Sequence, residues 1–176
     1  MGTETIETQR LLLRRFIKSD SKQMFLNWAN DQEVTKYLTW PHYSDRLQAV
    51  QFINQNLDKY AKEDYFNWAI ELKDDTNVIG NISVVNEDKI NKVAEIGYCL
   101  GRSWWGNGYM PEALQAVIKY LANCGQFNKL IAYHDTRNPN SGKVMLKAGM
   151  SFNGILKSAG KNNQGVCDEA YYSIDV

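Results

Sequence analysis

Residues 103 to 113 read SWWGNGYMPEA: two indole rings, two glycines one residue apart, then a proline and a glutamate that open an apolar-periodic stretch. With Gly101 upstream, the chain passes here from the end of a β-type run into a helix whose first turn holds Pro111. A helix start offers unpaired N–H groups and the positive end of the helix dipole, and glycines let the backbone come close to a phosphate. The segment therefore reads as a cradle for a diphosphate.

Spacing separates the nucleotide classes that such a cradle serves. Gly101 and Gly106 have the spacing of a triphosphate loop, but Asn107 and Gly108 follow where that chemistry needs lysine and a hydroxyl residue. A dinucleotide fingerprint wants a third glycine at 111, where Pro111 stands, and a parallel strand-helix-strand setting near the start of the chain. What remains is Gly106-x-Gly108 between a strand and a helix, which reads equally as a structural turn or as a grip on a diphosphate through main-chain donors alone.

The elements that must hold this turn follow one another without repeat, low-complexity tract or linker, and a single domain over 1–176 is expected. RLLLRRF (10–16) reads as a first strand, and Ser19 or Asp20 caps a short helix that ends at Asn30 and Asp31. Ser44 is expected to cap a long helix with Leu47, Val50, Ile53, Leu57 and Tyr60 on one buried face. YFNWAIEL (65–72), NVIGNISVV (77–85) and KVAEIGYCL (92–100) then form an antiparallel meander joined by short polar turns. A helix from about Met110 to Gly125, a strand at KLIAYHD (129–135), a helix capped by Asn140 and ending at Gly149, and strands at MSFNGILK and CDEAYYSID complete the string. The class is α+β, with about four helices flanking a mostly antiparallel sheet of about seven strands.

Composition narrows the partners. Lys plus Arg and Asp plus Glu both total 20, so no net charge calls for nucleic acid or an anionic membrane. No apolar run approaches the roughly 20 residues that span a bilayer, and the acidic N-terminus MGTETIETQR lacks the apolar core of a signal peptide, so the cytoplasm is the expected compartment. Three widely spaced cysteines, Cys99, Cys124 and Cys167, with only His42 and His134 to join them, give neither a disulfide framework nor a metal site.

A second unit, NPNSGKVMLKAGMSF after the strand KLIAY, makes the pattern specific. The order TQRLLLRRF, IGYCL-x4-WWGNGYMPEAL and N-x2-S-x3-LKAGM-F resembles the GNAT acetyltransferases, within them the ribosomal-protein alanine and serine N-acetyltransferase branch, over essentially the whole chain. The resemblance implies a sheet splayed between its fourth and fifth strands, with acetyl-coenzyme A in the splay and no metal. Pantetheine would pair with the backbone around Cys99 and Leu100, and the diphosphate would meet the N–H groups of Gly106, Asn107, Gly108, Tyr109 and Met110. Family members often carry Gln or Arg three residues before the first glycine; Ser103 holds that place here, with Arg102 one residue earlier as the candidate phosphate contact.

Acetyl transfer needs a neutral amine, a polarised carbonyl and a proton for the departing thiolate. By the resemblance, Glu95 is the expected base and Ser141 the expected proton donor, since residues 142 to 150 contain no tyrosine; Asn138 would hold pantetheine. Tyr98 is expected to line the acetyl pocket. On the acceptor side, the loop TKYLTWPHY offers Tyr37, Trp40, His42 and Tyr43 as an aromatic wall for an amine or a peptide N-terminus. The expected activity is acetyl transfer to a primary amine by a chain that is a monomer or a homodimer; a coenzyme-binding sensor that has lost transfer is the alternative.

Overall fold

The computed structural model describes residues 2–176. Eight strands form one sheet: β1 (Ile6–Glu7), β2 (Leu11–Arg14), β3 (Asn67–Leu72), β4 (Val78–Asp88), β5 (Val93–Leu100), β6 (Lys129–Asp135), β7 (Ser151–Asn162) and β8 (Gly165–Asp175). Their order is β1-β2-β3-β4-β5-β6-β8-β7, and every pairing is antiparallel except β5 with β6. Five α-helices flank it: α1 (Asp20–Met24), α2 (Gln32–Thr35), α3 (Arg46–Lys59), α4 (Tyr109–Asn123) and α5 (Pro139–Lys147).

Alternation along β3 shows how the layers close. Trp68 and Ile70 point into a core with Leu114, Val117 and Leu121 of α4, while Ala69 points into a second core with Met24, Trp28 and Ile53 of α1, its continuation and α3. The sheet is thus covered on both faces, α4 and α5 on one and α1 to α3 on the other.

Between β5 and β6 the sheet comes apart. Only Val93, Ala94 and Glu95 pair with Lys129, Leu130 and Ile131; from Ile96 onward β5 has no strand on that side. This is the expected splay between the fourth and fifth predicted strands, now β5 and β6.

The additional elements are too short to leave a periodic signal. β1 is two residues in a polar stretch, and α2 is one turn capped by Asp31, whose carboxylate accepts the Glu33 N–H at 2.9 Å. Asp31 therefore starts a helix instead of ending one. The cap of α3 is Asp45, not Ser44, with Gln48 completing a capping box, and Leu47 is exposed because Ala49 and Asn56 share the buried face with Ile53. α5 begins at Pro139, so Asn140 lies inside the helix and Asn138 holds the cap position. β7 runs to Asn162, five residues past the expected end. A bulge at 157–159 keeps it paired, with Asp168 accepting from Lys157 Nζ at 2.7 Å and from the Ser158 N–H at 2.8 Å.

Candidate active site

A cleft of about 630 Å³ occupies the splay. One end of the cleft is built by the turn from β5 into α4. Gly106 and Gly108 have φ of 78° and 79°, the left-handed region where a Cβ is strained. Among the described residues no acceptor meets the N–H groups of Gly106, Asn107, Gly108, Tyr109 and Met110, which leaves a row of donors at the start of α4. Gly106, Gly108, Tyr109 and Met110 line the cleft.

Arg10 braces this turn, a role that sequence reading missed. Its Nε donates to Glu112 Oε2 at 2.7 Å, its N–H donates to Glu112 Oε1 at 2.9 Å and its Nη1 donates to the Asn107 carbonyl at 2.9 Å. The guanidinium also lies 4.4 Å from the Tyr109 ring centroid. Burial opposes ionisation of Glu112, yet the bonds from Thr8 and Arg10 prevail and hold its carboxyl below the usual range. Arg102 lies elsewhere: its Nε ion-pairs with Asp31 at 3.0 Å, and it lines a separate groove with Asn27 and Asn30. The structure does not bring it to the glycine turn.

Along the open edge of β5 the pairing pattern decides which groups face the cleft. Gly101 donates to Ile79 at 2.8 Å, so alternation commits the backbone of Cys99 to β4 and turns that of Tyr98 and Leu100 toward the splay. The free edge is therefore offset by one residue from the expected Cys99 position. The Leu100 carbonyl accepts from Trp105 Nε1 at 2.7 Å, which ties the glycine turn back to the strand; the Trp105 ring itself stays 46% exposed. Cys99 Sγ lines the cleft and donates to Asn81 Oδ1 at 2.9 Å, and burial pushes its thiol up to about 12.

Side chains from β5 divide between the two faces. Tyr98 points toward α5, where its hydroxyl donates to the Ser141 carbonyl at 3.0 Å and receives Ser141 Oγ at 3.5 Å. Burial drives the Tyr98 phenol far above its ordinary value, so it stays neutral and positions the start of α5. His134 on β6 reaches the same place: Nδ1 bonds the Asp135 carbonyl at 2.8 Å, and Nε2 is buried with no partner among the described residues. Gly142 leaves room there, since a Cβ on it would sit 2.6 Å from His134 Nε2.

Glu95 points the other way, opposite the buried Ala94 and Ile96, and lines the cleft where the splay begins. Burial first, and the charge of Glu169 second, raise its carboxyl above the ordinary glutamate range, with an opposing bond from Asn86. Glu169 on β8 also lines the cleft and is likewise raised, by burial and by Asp135. Sequence reading missed Glu169; its signal was an acid alternating with Cys167 and Tyr171 along one strand face.

Tyr37 and Trp40 line the cleft. Tyr43 packs behind Trp40, 5.1 Å between ring centroids, and His42 lies off the cleft beside Gln32. The β7–β8 turn holds this loop in place: Asn163 Nδ2 donates to the carbonyls of Thr35 and Trp40, both at 2.8 Å, and its N–H to that of Leu38. Asn138 and Ser141 line the cleft at the start of α5.

The fold agrees with comparisons to known proteins. Residues 10–151 match the acetyltransferase (GNAT) domain, and the chain belongs to that family. It is 31% identical over 171 residues to the uncharacterized N-acetyltransferase p20 of Bacillus licheniformis, covering 97% of this chain and 96% of that one. To the ribosomal-protein-serine acetyltransferase of Escherichia coli it is 30% identical over 173 residues, covering 97% and 96%. Among solved structures, the ribosomal L7/L12 alpha-N-protein acetyltransferase RimL in complex with coenzyme A superposes with a TM-score of 0.87 over 98% of both chains, at 23% identity.

Proposed function

We propose that this acetyltransferase moves the acetyl group of acetyl-coenzyme A to a primary amine, with a protein N-terminal α-amine as the first acceptor class to test. One observation carries the reading: β5 and β6 pair over three residues only, and the cleft this opens is reached by the glycine turn at one end and by Glu95 at the other. The serine acetyltransferase relative and the RimL complex with coenzyme A support the acceptor and the cosubstrate respectively.

In this reading the N–H groups from Gly106 to Met110 hold the diphosphate, and the backbone edge at Tyr98 and Leu100 pairs with pantetheine, helped by Asn138. Arg102 is left out of the phosphate contact, and Arg10 acts behind the turn. Glu95 takes a proton from the acceptor ammonium, and the freed amine attacks the thioester carbonyl. As the carbon–sulfur bond breaks, the nitrogen gives up its second proton and Ser141, whose hydroxyl is held next to Tyr98, donates a proton to the departing thiolate and is reprotonated by the one that nitrogen releases. Tyr37 and Trp40 flank the acceptor, and the attack occurs with both substrates bound.

Incubation with acetyl-coenzyme A and a panel of Ser- and Ala-initiated peptides and short alkylamines, followed by thiol release, tests the proposal. Turnover with at least one acceptor is the expected result. Coenzyme A binding by calorimetry without turnover on any acceptor would instead establish a coenzyme-binding module.

A further inference from the structure

Glu169 differs from the other inward-facing carboxylates of this chain. Asp20 and Glu71 are paired with Arg14, Glu112 with Arg10 and Asp135 with Arg137, but among the described residues Glu169 has neither a hydrogen-bond nor an ion-pair partner. It lines the same cleft as Glu95. Room for it comes from the facing strand: a Cβ on Gly160 would lie 2.5 Å from Glu169 Cδ and 2.7 Å from Cγ, so only glycine at 160 lets this carboxylate lie where it does. Tyr133, stacked on Tyr171 at 5.1 Å, lies close enough to both acids to have its phenol raised, first by burial and then by the charges of Tyr171, Glu95 and Glu169. Two carboxylates with an aromatic pair beside them match a cationic amine, which donates hydrogen bonds and finds acceptors in neither donor-rich walls nor apolar ones.

Resting on the transferase reading above, we propose that Glu169 is a second acceptor-binding carboxylate, which with Glu95 and the Tyr133 ring receives the acceptor in its ammonium form. The primary ammonium binds between the acids and gives one proton to Glu95, from which it passes to solvent. The nitrogen lone pair then forms the bond to the acetyl carbon as the carbon–sulfur bond breaks, and nitrogen's second proton is balanced by protonation of the thiolate. One acetamide, one thiol and one released proton result.

Asp135 and Tyr133 on β6, Gly160 on β7 and Cys167 on its own strand lie nearest Glu169, Glu95 with its neighbour Asn86 lies across the splay, and Lys161 on β7 lines the same cleft. Asp135 is held ionised by Arg137, so removing the Glu169 charge changes the field at Glu95 without disturbing that pair.

The test uses the full chain with the best acceptor of the panel. For Glu169→Gln the acceptor KM should rise about tenfold or more while coenzyme A affinity stays at the wild-type value. The acid limb of the kcat/KM profile should move to lower pH, because the charge that raises Glu95 is gone. Gly160→Ala should move KM the same way by displacing the carboxylate, with thermal melts confirming that both variants fold. In the coenzyme A complex, wild type should bind a Ser-initiated peptide at least tenfold more tightly than its N-acetylated form, and Glu169→Gln should lose most of that preference. Wild-type turnover with unchanged KM and acid limb in Glu169→Gln overturns this inference alone. Absence of turnover in wild type, with no preference for the free amine, overturns it together with the transferase reading.

Discussion

The two ends of the cleft are built on opposite hydrogen-bond economies. At the glycine-turn end Glu112 is held by Thr8 and Arg10, while the N–H groups of residues 106 to 110 have no partner among the described residues. At the Glu95 end two acids stand without an ion-pair partner: Arg137 and Asn162 are bonded to Asp135 and Asn163 to the Thr35–Trp40 loop, while among the described residues Glu169 has no partner and lies near Glu95. Unmet donors favour an anion and unmet carboxylates favour a cation. In the proposed function, a diphosphate at one end and an ammonium at the other would satisfy both.

The largest effect expected at the acceptor end is on chemistry. Glu95→Gln should lower kcat/KM by about 10²–10⁴-fold, the usual worth of a general base, and leave coenzyme A binding by calorimetry unchanged. A comparable loss of coenzyme affinity would place Glu95 at the wrong end.

The mirror experiment is Gly106→Ala. No atom lies within 4 Å of the added Cβ, so the substitution acts only through the left-handed backbone, at about 1–2 kcal/mol. Coenzyme affinity should fall about tenfold with the acceptor KM unaffected. Arg10→Ala should weaken coenzyme binding by roughly three- to tenfold, since it releases a carboxylate next to the diphosphate and loosens the Asn107 carbonyl. The loss should be smaller in Arg10→Ala with Glu112→Gln, which a double-mutant cycle would read.

The sign of the pH effect follows from the raised carboxyl of Glu95. A base must be ionised to act, so kcat/KM should fall as pH drops through a limb lying above the ordinary glutamate range. Stability runs the other way: an acid raised in the folded state costs stability above its folded pKa, and the cost disappears below its unfolded pKa. Glu95→Gln should therefore raise Tm at pH 7 by about 1–2 °C and leave it unchanged near pH 4. An unchanged Tm at pH 7 would mean that solvent reaches this carboxylate more freely than its place in the cleft implies.

Much of this organisation was legible before any coordinates. The glycine spacing at 106 and 108 and the strand-to-helix change of period marked a left-handed turn at the start of a helix, because left-handed backbone and free helix N–H groups are local properties. The strand at 129–135 was read to the residue. What local signals missed were features defined by a partner. Asp45 caps α3 because Gln48 reciprocates. β7 continues through SAGKN because Asp168 bridges the bulge. The open edge belongs to Tyr98 and Leu100 because Gly101 bonds to Ile79.

By itself, then, the sequence determined the class of fold, the left-handed glycine turn and the family, since each is carried by residue types at short spacings. Only the tertiary structure decided which acids face the cleft. Glu95 and Tyr98, three residues apart on one strand, emerge on opposite sides of the sheet, and Glu169, 74 positions from Glu95, joins it only because β5 and β6 separate. Charge proximity across a splayed sheet is set by strand order and register, which no window along the chain contains.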